Sequence, residues 1–138
     1  ASGALREATI LLKVWLRQRS VQQAGGVTGF QLSLLLVHLL RARVVTRSMG
    51  AYHVFRVVLS FLAKTMLEDH PVALPPPPAG GGGEDEHEHE GEAGQVHAVA
   101  AARFGRHFAW VLADSSAGVN YGAGVTRGAL RELQEQAA

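Results

Sequence analysis

Cysteine is absent from all 138 residues. That excludes a disulfide scaffold and any zinc site built on thiolates, and it fits a reducing compartment. A long hydrophobic run is also missing. The most apolar stretch, Phe30 to Leu40, contains only Gln31, Ser33 and His38 as polar residues, far short of the roughly 20 residues needed to cross a bilayer. No signal-peptide pattern opens the chain, and we expect no membrane association. Catalytic signatures are missing too. There is no phosphate-binding loop, no G-x-G-x-x-G, no Ser/His/Asp grouping and no D-x-D pair that could hold two divalent ions about 3.5–4 Å apart. Outside one acidic run the only carboxylates are Glu7, Glu68, Asp69, Asp114, Glu132 and Glu135. No catalytic residue, resident metal or cofactor is therefore expected.

Acidic charge is scarce except in one place. Glu84, Asp85, Glu86, Glu88, Glu90 and Glu92 lie together, leaving six acids against thirteen Lys and Arg in the rest. Residues 1–64 carry nine Lys or Arg and a single acid, Glu7. A basic body with one acidic loop suits an anionic partner such as RNA, and it also suits an ordinary solvated surface. The chain does not begin with Met and ends in a helical pattern without a stop signal, so we read it as a single domain, residues 1–138, cut from a longer protein.

What is present is mostly helical. Leu5, Ala8, Leu12 and Trp15 recur at helical spacing, with Leu11 and Leu16 widening the apolar face. Arg6, Thr9, Lys13 and Arg17 form a separate stripe on the same predicted helix. Gly25-Gly26 then turns the chain. Thr28 and Gln31 make a capping box, with Val27 and Leu32 as its hydrophobic staple. The helix they open, residues 28–45, is apolar on nearly all sides and is expected to be buried on every side as the organising element. His38 reads as a core or boundary histidine. A third helix is expected with Ser48 as N-cap and Tyr52, Phe55, Leu59, Leu62 and Met66 as its buried stripe; His53, Arg56, Ser60 and Lys64 take another side.

From 71 to 95 the composition changes to P-P-P-P, G-G-G-G and E-D-E-H-E-H-E, which we read as a disordered insertion. His87 and His89 among loose carboxylates offer no fixed metal geometry. Residues 96–104 suggest a short Ala-rich helix. Residues 107–114 read as a strand covered on both faces, with Phe108, Trp110 and Leu112 opposite Ala109, Val111 and Ala113. Asp114 to Gly118 is a turn signal, and residues 119–122 could pair back as a second strand. Thr126 opens a last helix with Leu130 and Leu133 inward.

Four blocks, L-L-K-V-W-L-R-Q-R (11–19), G-F-Q-L-S-L-L-L-V-H-L-L (29–40), S-M-G-A-Y-H-V-F-R-V-V-L-S-F-L-A (48–63) and V-L-A-D-S-S-A-G-V-N-Y-G-A-G-V-T-R-G-A-L-R-E-L-Q (111–134), resemble in order the Nrap family, the nucleolar protein 6 group of ribosome-assembly factors. The resemblance covers nearly all the chain except 71–105, and Ser115 departs from it where the family often has proline. It implies the helical poly(A)-polymerase/oligoadenylate-synthetase-like domain that follows a first nucleotidyltransferase-like domain. The fold implied is mainly α with a small β element (α+β), four to five helices and a short strand pair. The role implied is a noncatalytic scaffold in the nucleolar small-subunit processome, with pre-rRNA and other processome proteins as partners. Arg6, Lys13, Arg17, Arg56 and Lys64 are then the candidate RNA or phosphate contacts. Active polymerases of the superfamily resemble this chain in the same helices but carry a G-G-x-x-S-Y-like motif that helps hold the nucleotide. Here Gly29 and Phe30 replace its hydroxyl-bearing residues. The alternative roles are an accessory helical domain of an active nucleotidyltransferase, in which Lys13 would approach the triphosphate, and a helical protein-docking domain whose basic charge is incidental.

Overall fold

The structure, a computed structural model, describes residues 2–19, 25–65, 67, 71–74, 98–104, 107–114, 116 and 118–138. Helices α1 (Ser2–Gln18), α2 (Gly29–Arg41) and α3 (Ala51–Lys64) come first. Strand β1 (Val72–Ala73), helix α4 (98–104), strand β2 (Leu112–Ala113) and helix α5 (Arg127–Ala137) follow. The architecture is mainly α with a small β element, as the sequence implied. Helix α1 packs on both α2 and α3, and α3 also packs on α5.

Helix α1 buries Ala8, Leu12, Trp15 and Leu16, the i, i+4, i+7, i+8 face of a helix. Leu11, expected to widen that face, is exposed instead. It stands about 100° round the helix from Leu12, off the face that Ala8, Leu12, Trp15 and Leu16 bury.

Helix α2 begins as its sequence predicts. The Thr28 hydroxyl accepts from the Gln31 N–H at 3.3 Å, and the Thr28 N–H donates to Gln31 Oε1 at 2.8 Å. Both staple residues, Val27 and Leu32, are buried. The expected burial on every side does not hold. Leu32, Leu35, Leu36 and Leu39 face the core, but Phe30 is 59% exposed and Val37 44%. These two lie seven residues apart, hence on one outer face, and α1 covers the other.

The helix also stops at Arg41, four residues before the expected end. Val44 N–H donates to the Leu39 carbonyl and Arg43 N–H to Leu40, while Arg43 takes a left-handed φ of 57°. This is a Schellman ending with arginine where glycine is usual.

Helix α3 corrects two further expectations. Its N-cap is Gly50, with no side-chain cap, while the Ser48 hydroxyl bonds the Thr46 hydroxyl at 2.8 Å. Its buried stripe is Val54, Val58 and Leu62, with Phe55 and Leu59 half-buried and Tyr52 68% exposed. A 3-4-3-4 spacing and an i, i+4, i+8 spacing overlap at Leu62, and the second meets α1 and α5. Met66 lies outside the described residues. Gln134 of α5 closes the end of α3, its Nε2 donating to the Leu62 and Thr65 carbonyls at 3.1 and 2.7 Å.

Residues 71–74, expected to begin the insertion, are structured. Val72 and Ala73 are buried and pair in parallel with Leu112 and Ala113. The rest of the expected insertion, with His87 and His89, lies outside the described residues. The 107–114 strand is shorter than expected, at two residues. Its partner is β1 rather than residues 119–122, which contribute one antiparallel bridge, Ala113 to Asn120. Alternation holds from Trp110 onward: Trp110 and Leu112 enter the main core, and Val111 and Ala113 join Ala100 in a second one. Phe108 sides with the second core, because the His107 and Phe108 N–H groups both donate to the Phe104 carbonyl at the end of α4.

The fold thus buries Leu12, Leu16, Leu32, Leu35 and Leu39 almost completely from α1 and α2. Together they contribute on the order of 10 kcal/mol before ordering entropy is subtracted.

Candidate nucleic-acid interface

The five candidate cations divide between two helices. Arg6, Lys13 and Arg17 are exposed on one face of α1, at i, i+7 and i+11. Thr9, in the same stripe, turns its hydroxyl back to the Leu5 carbonyl at 2.8 Å. Arg56 and Lys64 are exposed at i and i+8 on α3. Each set forms a ridge of the kind that can follow phosphates without reading bases. Among the described residues no group of three or more His, Asp or Glu gathers as a metal site would require.

Sequence reasoning missed that the α1 ridge is bordered by apolar surface. Ile10 and Val14, one turn apart, are 51% and 44% exposed beside it. The signal was in the sequence: α1 has more large apolar residues than one inward face can hold. Helix α1 therefore offers a mixed basic and apolar outer face, whereas Arg56 on α3 has the polar neighbours His53 and Ser60.

The stretch Gly25-Gly26-Val27-Thr28-Gly29-Phe30 is tied down by local contacts, although Thr28 and Phe30 are exposed. Gly25 sits at φ +82°, and its carbonyl accepts from the Thr126 N–H at 2.9 Å. Val27 is fully buried, and the Thr28 hydroxyl is committed to the capping box. The Lys13 stem crosses Gly29 so closely that a Cβ there would lie 3.0 Å from Lys13 Cγ. Phe30 rests edge-on against Tyr121 with ring centroids 6.0 Å apart. Gln31 reaches across the fold, its Nε2 donating to the Tyr121 carbonyl at 2.7 Å. The Lys13 stem thus occupies the space that a side chain at position 29 would take.

The segment that receives these contacts is held by two polar side chains. Asn120 Oδ1 accepts from the Leu112 and Gly122 N–H groups, and its Nδ2 donates to the Trp110 carbonyl. The Asp114 carboxylate accepts from the Ser116 hydroxyl and from the Gly118 and Val119 N–H groups. Those bonds, Ser116 foremost, hold its carboxyl below the ordinary range against an opposing desolvation effect. Through these bonds both side chains shape the loop. His38, half-buried in the last turn of α2, belongs to the scaffold as expected.

Residues 4–138 match the family described as the Nrap protein PAP/OAS-like domain. The chain is 34% identical to Nucleolar protein 6 of Homo sapiens and 31% identical to that of Mus musculus. Each of these alignments covers 99% of this chain and 11% of the relative. Nucleolar protein 6 of Xenopus laevis is 41% identical over 64 residues, 46% of this chain and 6% of the relative. The chain thus spans about a tenth of the length of its mammalian relatives.

Proposed function

This chain belongs to the Nrap family, as its PAP/OAS-like domain, and on that premise we propose that it is a noncatalytic scaffold module of a nucleolar ribosome-biogenesis factor. It acts in pre-rRNA processing within the small-subunit processome, through RNA and protein contacts. The nucleolar assignment rests on the name of the relatives, Nucleolar protein 6. The noncatalytic reading rests on one observation above all, the closed head of α2. Lys13 lies over Gly29, the Thr28 hydroxyl and Gln31 Oε1 each accept from the other residue's backbone N–H, and Gln31 Nε2 donates to the Tyr121 carbonyl. The resemblance to active nucleotidyltransferases implies hydroxyl-bearing residues at that head, where this chain has Gly29 and Phe30.

The RNA contacts are assigned to Arg6, Lys13 and Arg17, with Arg56 and Lys64 as the second ridge. Neutralising each phosphate contact removes about 0.7 from the slope of log K against log salt on single-stranded RNA. Changing Arg6, Lys13 and Arg17 together to Gln should therefore flatten that slope by about 2 and weaken binding equally across RNA sequences. An unchanged slope with the helices intact by circular dichroism would remove α1 from the RNA interface. The Arg56→Gln/Lys64→Gln pair then tests the other ridge. Saturable, base-selective nucleoside triphosphate binding that Lys13→Gln abolishes would instead restore the nucleotidyltransferase reading.

A further inference from the structure

Between α2 and α3, residues 42–50 form a loop in which arginine and hydroxyl side chains are placed together. Its sequence, counted from the end of α2, is R-A-R-V-V-T-R-S, Arg41 to Ser48. Arg41, Arg43, Arg47 and Ser48 are exposed, and Thr46 is half-exposed. No carboxylate occurs in the sequence between Glu7 and Glu68, so the loop has no acidic chain neighbour.

We propose that Thr46 is a phosphorylation site for an arginine-directed protein kinase. Two arginines, Arg43 and Arg41, precede it by three and five residues, and an acidic substrate groove selects its partner by such charge complementarity. The left-handed turn at Arg43 ends α2 and swings the chain off the helix axis. Fully buried Val45 then anchors the loop immediately before the acceptor. Thr46 itself is held only locally. Its hydroxyl bonds Ser48 at 2.8 Å, and its carbonyl accepts from the Met49 N–H at 3.2 Å. Both bonds can open without disturbing a buried side chain.

In the transfer, Thr46 Oγ1 attacks the γ-phosphorus of magnesium-bound ATP. The new P–Oγ1 bond forms as the bond to the β,γ-bridging oxygen breaks, ADP leaves, and the hydroxyl proton passes to the kinase's catalytic base. The product places about −1.5 to −2 charges in a stretch that holds no acidic residue. It also does so five residues before the start of α3, whose Gly50 cap has no side-chain acceptor.

The test incubates the 138-residue chain with magnesium ATP and a kinase that reads arginine three and five residues before its acceptor. Sites are then mapped by mass spectrometry. One phosphate at Thr46 is expected, lost in Thr46→Ala and kept in Ser48→Ala. Arg43→Ala should slow the initial rate at least tenfold. Arg41→Ala, outside the left-handed turn, should slow it too, which separates recognition from any change of loop shape. Circular dichroism confirms that each variant keeps its helices. Phosphate on Ser48 rather than Thr46 overturns the proposal. So does a folded chain that refuses phosphate while the synthetic peptide 39–50 accepts it, because the loop would then be closed to a kinase. A rate indifferent to both arginines overturns it as well.

Discussion

The inner junction and the outer face of α1 both set polar beside apolar residues, and they treat the polar ones oppositely. At the junction, between residues 25–31 and 110–126, polar groups are paired across long stretches of chain. Gln31 holds the Tyr121 carbonyl, Thr126 N–H holds Gly25, and Asn120 bonds three backbone groups at once. On the outer face of α1, Arg6, Lys13 and Arg17 point to solvent beside exposed Ile10 and Val14. Unsatisfied polar groups are costly when buried, so the junction is specified by hydrogen bonding. Solvent imposes no such demand outside. Change at the junction should therefore register as stability, and change on the outer face as binding.

The sharpest way to break this contrast is Gly122→Ala. A Cβ at this buried glycine would stand 2.6 Å from the Trp110 carbonyl oxygen, and backbone cannot rotate away as a side chain can. The expected loss is about 3 kcal/mol, measured by urea unfolding. A loss under about 0.5 kcal/mol would mean that the junction deforms freely.

Gln31→Ala comes next. It removes the return arm of the capping box and leaves the Tyr121 carbonyl without its 2.7 Å donor. About 2 kcal/mol of stability should be lost. Changing Thr28 to Ala should cost less, about 1 kcal/mol, since its hydroxyl serves the helix end alone. Equal losses for the two would show that the link to Tyr121 contributes nothing beyond the cap.

These two residues also show what sequence could and could not reveal. The capping box was legible because it is local: Thr28 and Gln31 are three residues apart, and helical geometry fixes their meeting. The tie to Tyr121 was not, because its partners are 90 residues apart. The same distinction explains the strands. Apolar alternation marked Trp110 and Leu112 as covered, but nothing local marked Val72 as the partner across the Pro/Gly-rich and acidic stretch. Helices were legible as helices and misjudged in their facing. Tyr52 and Val37 look buried by hydrophobicity, and only the positions of the neighbouring helices decide that they are not. The candidate cations were legible as exposed. Their division into two ridges, and the apolar border of the first, required the fold.

Asp114 should give a smaller effect, one that depends on pH. Its carboxyl titrates below the ordinary range because the ionised form accepts from Ser116, Val119 and Gly118. The stability this contributes is complete above about pH 4, the unfolded value, and is lost as pH falls through the lower folded value. Asp114→Asn should cost about 1 kcal/mol at neutral pH and flatten the acid limb of the stability profile. An acid limb identical to the parent's would assign acid sensitivity to other carboxylates.

The smallest expected change in stability is on the outer face, where Ile10→Gln and Val14→Gln remove apolar area that already meets water. Their exposures, 51% and 44%, leave little burial to lose, and glutamine favours a helix over either β-branched residue. The double variant should unfold within about 0.5 kcal/mol of the parent. A loss as large as that of Gln31→Ala would show that the face is covered in the folded chain, and the contrast with the junction would fail. Unchanged stability with weaker RNA binding would join the apolar border to the Arg6, Lys13 and Arg17 ridge as one binding surface. Unchanged stability and unchanged RNA binding would assign Ile10 and Val14 to a contact other than RNA, which is the division of labour expected of a scaffold that holds both nucleic acid and protein.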